Sequence, residues 1–194
     1  MIIGICGLIG SGKGTVADIL EQDHGFTKVS FADSLKDAVA AVFGWPRNLL
    51  EGDTDESRAW REQVDHWWAD RLRIPHLTPR WVLQQWGTEV CRSGFHDDIW
   101  IASMERKLCS SVNYVIPDTR FPNEINLIKK LNGQVWHVER GVQPSWFDKY
   151  RLGGSPPSDI HASEWAWVRS KFEHTLANNG SLDQLKQTVK GLIT

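Results

Sequence analysis

The feature that most constrains this chain is Gly7-Leu8-Ile9-Gly10-Ser11-Gly12-Lys13-Gly14-Thr15. Before it, Met1-Ile2-Ile3-Gly4-Ile5-Cys6 is an apolar run that reads as a buried parallel strand starting at the first residue. After it, Val16-Ala17-Asp18-Ile19-Leu20 has the apolar spacing of a helix. Strand, glycine-rich turn and helix, in that order, form the setting a phosphate-binding loop requires. The glycines let several backbone N–H groups converge on one anion, and the helix N-terminus adds partial positive charge. Lys13 contributes a mobile cation for the outer phosphates. Glycines alone would serve any tight turn, but Gly7, Gly12 and Lys13 stand in register behind a strand. Gly7, Gly10, Ser11, Gly12, Lys13, Gly14 and Thr15 are therefore the candidate phosphate ligands.

The 194 residues suit one domain, 1–194, with room for a lid or small insert. A net charge of −2 excludes a general polyanion-binding surface, so no nucleic-acid partner is expected. No apolar run approaches membrane-spanning length, and Met1 leads into strand rather than a signal peptide, which points to the cytoplasm. Cys6, Cys91 and Cys109 have neither disulfide nor zinc spacing and fit a reducing compartment. With seven histidines equally unpatterned, a zinc hydrolase is unsupported. Eleven tryptophans are many for this length; most are expected in core or interface. A homodimer stays open.

Strands are predicted at 27–31, 112–118, 134–140 and 172–177. Helices are predicted at 34–43, 56–72, 78–92, from 99 to about 108, at 123–131, from 163 to about 171, and at 182–193. Residues 141–162, with Gly153-Gly154 and Pro156-Pro157, read as a long loop or lid. The resulting fold class is α/β: a parallel sheet of about five strands covered on both faces. Ligands bind at the carboxyl ends of such strands. The phosphate loop, Asp118-Arg120 and Arg140 all fall there, so they are expected to converge although far apart in sequence.

Phosphoryl transfer asks a protein for positioning and cationic stabilisation. Asp118, at the end of an apolar strand, stands where an acid orders magnesium waters. Thr15, one residue beyond the usual hydroxyl position, is a second candidate Mg²⁺ contact, through water. Lys13, Arg120, Arg140 and the lid residue Arg151 are the candidate catalytic cations. An acceptor that is itself a phosphate monoester needs no general base, because its second pKa is about 6. An alcohol acceptor would want one, and Asp33, Asp118 and Glu124 are each eligible.

At the level of motifs the chain resembles a known family. Its Gly-Lys-Gly-Thr ending is similar to that of adenylate kinase and other nucleoside monophosphate kinases. Phe31-Ala32-Asp33-Ser34-Leu35-Lys36, Pro79 to Arg92, and Asp118-Thr119-Arg120-Phe121-Pro122-Asn123-Glu124 resemble blocks of the bacteriophage deoxynucleoside monophosphate kinases. His161-Ala162-Ser163-Glu164 and the region 178–185 are similar to further parts of that family. The resemblance implies a P-loop NTPase-type, three-layer α/β/α fold with a helical monophosphate-binding insert at about 32–110 and a lid at about 141–162. It implies transfer of the ATP γ-phosphate to a deoxynucleoside 5′-monophosphate with Mg²⁺, in a bacterial host cytoplasm. It places Asp33, Lys36, Arg80, Gln84, Arg92 and Asp118 at the monophosphate, with Arg80 and Arg92 on its phosphate and Gln84 on its base. Trp86 and Trp100 could stack on a base or simply fill core. Residues 60–68 match nothing in the family. Two other readings stay open: a kinase for another small acceptor, such as dephospho-coenzyme A, and a non-catalytic nucleotide-binding module.

Overall fold

The computed structural model describes residues 1–193. Five strands are found among them: β1 (Ile2–Cys6), β2 (Thr27–Lys28), β3 (Tyr114–Ile116), β4 (Gln134–Glu139) and β5 (His174–Ala177). In chain order the α-helices are α1 (Lys13–His24), α2 (Asp33–Phe43), α3 (Asp55–Arg61), α4 (His66–Leu72), α5 (Pro79–Gln84), α6 (Ile99–Lys107), α7 (Pro122–Lys130), α8 (Ser145–Arg151) and α9 (Leu182–Ile193). The chain divides into two compact units, one of Met1–Ser30 with the chain from Glu105 onward, the other Phe31–Met104.

The first unit holds the whole sheet, in the order β2-β3-β1-β4-β5, and every pair is parallel. β1 is central, pairing Ile3 with Val115 on one side and Ile5 with Trp136 on the other. Its apolar run suits that place, because a central parallel strand meets no water on either face. On one face Ile3, Ile5, Val115 and Trp136 pack with Val16 and Leu20 of α1 and Leu185 and Val189 of α9. On the other, α7 approaches so closely that a Cβ on Gly4 would lie 2.3 Å from Ile128 Cδ1. Helices on both faces make three layers, α/β/α. All five predicted strands are shorter than the sequence suggests. β3, for example, stops at Ile116, before Pro117, which has no N–H to give a ladder.

Two further departures lie in this unit. The stretch 141–162 is not all loop, because Phe147 and Tyr150 bury themselves and wind α8 between flanks rich in glycine and proline. Conversely, the helix predicted from 163 shrinks to a single 3₁₀ turn, Ala162–Glu164.

The second unit is helical. Leu35, Val39, Leu50, Leu77 and Val82 form its core, with Trp60, Trp68, Trp81, Trp86 and Trp100 packed against them. Phe43 stacks on Trp45 with ring centres 4.4 Å apart, and Trp68 tilts against Phe43 at 4.9 Å. Core packing thus accounts for most of this unit's tryptophans. The single helix predicted over 56–72 is two. Asp65 interrupts it, one oxygen capping the Trp68 N–H at 3.1 Å and the other accepting the Trp45 indole N–H at 2.7 Å. The helix predicted from Thr78 begins as expected, with the Thr78 hydroxyl capping the Trp81 N–H. From Gln85 to Ser93 it widens into a π-helix, and the Gly87 carbonyl there accepts the Trp100 indole N–H at 2.9 Å.

Candidate active site

The turn after β1 curls as its glycines allow. Gly12 sits at φ +99°, and a Cβ there would meet Asn178 Nδ2 at 2.2 Å, so both conformation and space demand glycine. That Asn178 amide, just beyond β5, donates to the Ser11 carbonyl at 2.9 Å and braces the loop from the far end of the chain. α1 starts at Lys13 with no side-chain cap, leaving its first-turn N–H dipoles for an external anion. The Lys13 ammonium folds back onto its own loop, donating to the Gly7 and Leu8 carbonyls at 2.8 Å each. Burial, then the neighbouring positive charge of Arg120, lowers its pKa to about 8, while Glu164, Cys6 and Asp118 pull the other way. Thr15 is exposed in the first turn of α1.

The strand end after β3 comes to the same place. Asp118 accepts the Ser30 hydroxyl at 2.6 Å, and both Asp118 and Arg120 act on the Lys13 charge. Glu124 is buried and caps α7, accepting the N–H groups of Arg120 at 2.7 Å and Phe121 at 3.1 Å. That duty makes it a structural carboxylate rather than a base. The Arg120 guanidinium donates through Nη1 to Glu164 at 2.6 Å and to the Ser163 hydroxyl at 3.3 Å. The His161-to-Glu164 segment therefore both caps its own turn, through His161 Nδ1 and Ser163 N–H, and reaches Arg120.

Arg140 follows β4 and lines a cavity of about 400 Å³ that Leu8, Ile9, Gly10, Ser11, Trp146 and Glu164 also border. Arg151, at the end of α8, pairs with Asp148 at 3.0 Å on the surface. One site neighbour escaped the sequence reading. His137 on β4 is enclosed by Phe147, Trp167 and Phe172. Burial, with Arg151 and Lys13 adding to it, lowers its pKa from 6.5 to about 4. Above pH 6.5 folded and unfolded states are both neutral there. As pH falls from 6.5 towards 4, the unfolded chain binds a proton that the folded one refuses, so stability drops through that window. The loss is on the order of 3 kcal/mol at its full extent. His137→Phe is expected to flatten this slope, read as the difference in Tm between neutral and mildly acid buffer.

Of the candidate acceptor residues, Asp118 is on the first unit, and Asp33, Lys36, Arg80, Gln84 and Arg92 are on the second. Lys36 is buried and pairs with Glu51 at 2.6 Å. Arg47 joins Asp33 at 3.4 Å and Asp37 at 2.6 Å, and also binds Glu51. Burial would raise the Glu51 carboxyl, but Lys36 and Arg47 together hold it below its ordinary range. Arg80 pairs with Glu62 at 2.7 Å, and Gln84 is exposed one turn further along α5. Arg92, buried on the π-helix, donates to the Asp97 carbonyl at 3.2 Å. Arg47 as the hub joining Asp33 to Glu51 was not foreseen; the only signal was a basic residue at the edge of an acid-rich loop.

No protein-family model matches the chain. It is similar to a protein of Acanthamoeba polyphaga mimivirus named "Putative deoxynucleotide monophosphate kinase", at 30% identity over 200 residues that span 95% of this chain and 91% of the relative. Similar solved structures include a shikimate kinase from Aquifex aeolicus, at 12% identity and a TM-score of 0.46, over 100% of this chain and 96% of that one. A dephospho-CoA kinase from Campylobacter jejuni aligns at 16% identity and a TM-score of 0.41, over 99% of this chain and 95% of that one.

Proposed function

The chain belongs to the deoxynucleotide monophosphate kinase family, and from that premise we propose that it transfers the γ-phosphate of ATP to a deoxynucleoside 5′-monophosphate, giving the diphosphate and ADP. The observation that carries this reading is the meeting of Lys13, Arg120 and Asp118 around an uncapped helix start. Such a cluster can cradle phosphates and neutralise the charge that spreads over a phosphoryl group in flight. Lys13 would leave the Gly7 and Leu8 carbonyls for the β- and γ-phosphates, and Gly7, Gly10, Ser11, Gly12, Gly14 and Thr15 would wrap the chain of phosphates. Arg120, Arg140 and Arg151 are the proposed cations around the transferred group.

Mg²⁺, when bound with ATP, would supply positive charge that offsets that of the phosphates. Asp118 and the Thr15 hydroxyl are the oxygen donors that suit it, through water. No group of three or more His, Cys, Asp or Glu side chains that could hold a metal ion occurs among the described residues. On the second unit, Arg80 and Arg92 are proposed for the acceptor phosphate, Gln84 for its base, and Asp33 and Lys36 for the remaining contacts. The acceptor oxygen is already largely anionic at neutral pH, so no base is required.

We further read the chain as a cytoplasmic enzyme of the kind bacteriophages carry, with small nucleotides rather than nucleic acid as its partners. No helix among the described residues is long and apolar enough to cross a membrane. The test is ADP release with each deoxynucleoside monophosphate in turn, against the matching ribonucleotides, dephospho-coenzyme A and a no-acceptor control. Turnover with one or more deoxynucleotides is the expected result; turnover with dephospho-coenzyme A alone would replace the acceptor, and ATP binding without any transfer would overturn the enzyme.

A further inference from the structure

We propose, resting on the kinase reading above, that Glu164 is a positioning residue: with Ser163 it fixes the Arg120 guanidinium beside the phosphate loop. Arg120 is held at both ends. Glu124 accepts its backbone N–H at 2.7 Å, and Glu164 and Ser163 take its guanidinium at 2.6 and 3.3 Å. Ser163 is itself set by His161 Nδ1, 2.9 Å from its hydroxyl. A long arginine side chain left free would have to be ordered at each turnover, whereas this one is aimed beforehand.

Glu164 has a second reach. It lines the cavity beside Leu8 to Ser11 and acts on Lys13 as well as on Arg120. The guanidinium it holds is therefore presented at the phosphate loop itself.

Two properties of one side chain are thus separable, its hydrogen bond and its charge. Glu164→Gln keeps a bond to Arg120 and loses the charge; Glu164→Ala loses both. In Glu164→Ala, kcat is expected to fall by about tenfold to a hundredfold while KM for the monophosphate moves much less, with Glu164→Gln recovering most of kcat. That split of kcat from KM, with rescue by the conservative variant, is not what a purely structural staple would give. Unchanged kcat in Glu164→Ala, or a glutamine variant as slow as the alanine one, overturns the proposal. If the alanine variant fails to fold, Glu164→Ser takes its place. Side-chain ¹⁵N relaxation of Arg120 needs no turnover: a guanidinium rigid in wild type and Glu164→Gln and mobile in Glu164→Ala is expected, and one equally rigid in all three overturns the positioning role. A wild type that transfers nothing therefore sinks the kinase reading, while the relaxation of Arg120 still judges Glu164.

Discussion

Lys13→Met is expected to cut kcat/KM for ATP by on the order of 10²–10³-fold without unfolding the protein. The lysine is the cation of the loop, and methionine keeps its length and apolar stem while removing the charge. The effect on stability has the opposite sign. Burial lowers the Lys13 pKa from 10.5 to about 8, so below pH 8 the folded state carries an ammonium it binds less well than the unfolded chain does. That penalty shrinks as pH rises from 8 and is gone above 10.5. The ligand-free variant should therefore melt no lower than wild type at neutral pH, and any gain should vanish in alkaline buffer. Steady-state kinetics and melting curves on one preparation check both halves. A variant that retains most of its turnover would overturn the phosphate-loop assignment.

Arg120→Ala is the second large effect, with kcat expected to fall by on the order of 10²–10³-fold. It differs from the lysine variant in its cost to the fold. Glu164, whose side chain is only 19% exposed, loses its cation, and Ser163 loses its donor. A drop in Tm should accompany the loss of rate. Arg120→Lys should not restore activity, because a single ammonium on a flexible stem cannot reproduce the guanidinium fork. Near-wild-type turnover in either variant would remove Arg120 from the chemistry.

How much of this could be read from residues alone depended on range. The sheet, the loop and the capping of the helix after Thr78 are local patterns, written within a few residues of where they act. Asp65 shows the limit: in sequence it is one more polar residue on an amphipathic stripe, and only the indole of Trp45 twenty positions away makes it a helix break. The helix α8 was hidden for a related reason. Phe147 and Tyr150 give it a buried face, but glycines and prolines on both sides resemble loop. The Arg120–Glu164 pair spans 44 residues, and the Asn178 brace on Ser11 spans 167, so neither leaves a periodic trace. Tryptophans in the second unit were ambiguous between stacking on a base and filling core. The ring contacts of Trp45, Trp68 and Trp86 with Phe43, which no single-residue pattern records, favour core for those three.

The central place of β1 also sets a clock on the ribosome. Its neighbours begin at Tyr114 and Gln134, so this apolar strand, made before either, has no edge to join until the chain has run on to them. At about 5–20 residues per second, the wait for β3 is roughly 5–20 s, during which Ile2 to Cys6 is an unpaired apolar segment. Nascent-chain chaperones, which hold such segments, would then govern the yield of this protein more than its final thermodynamic stability does.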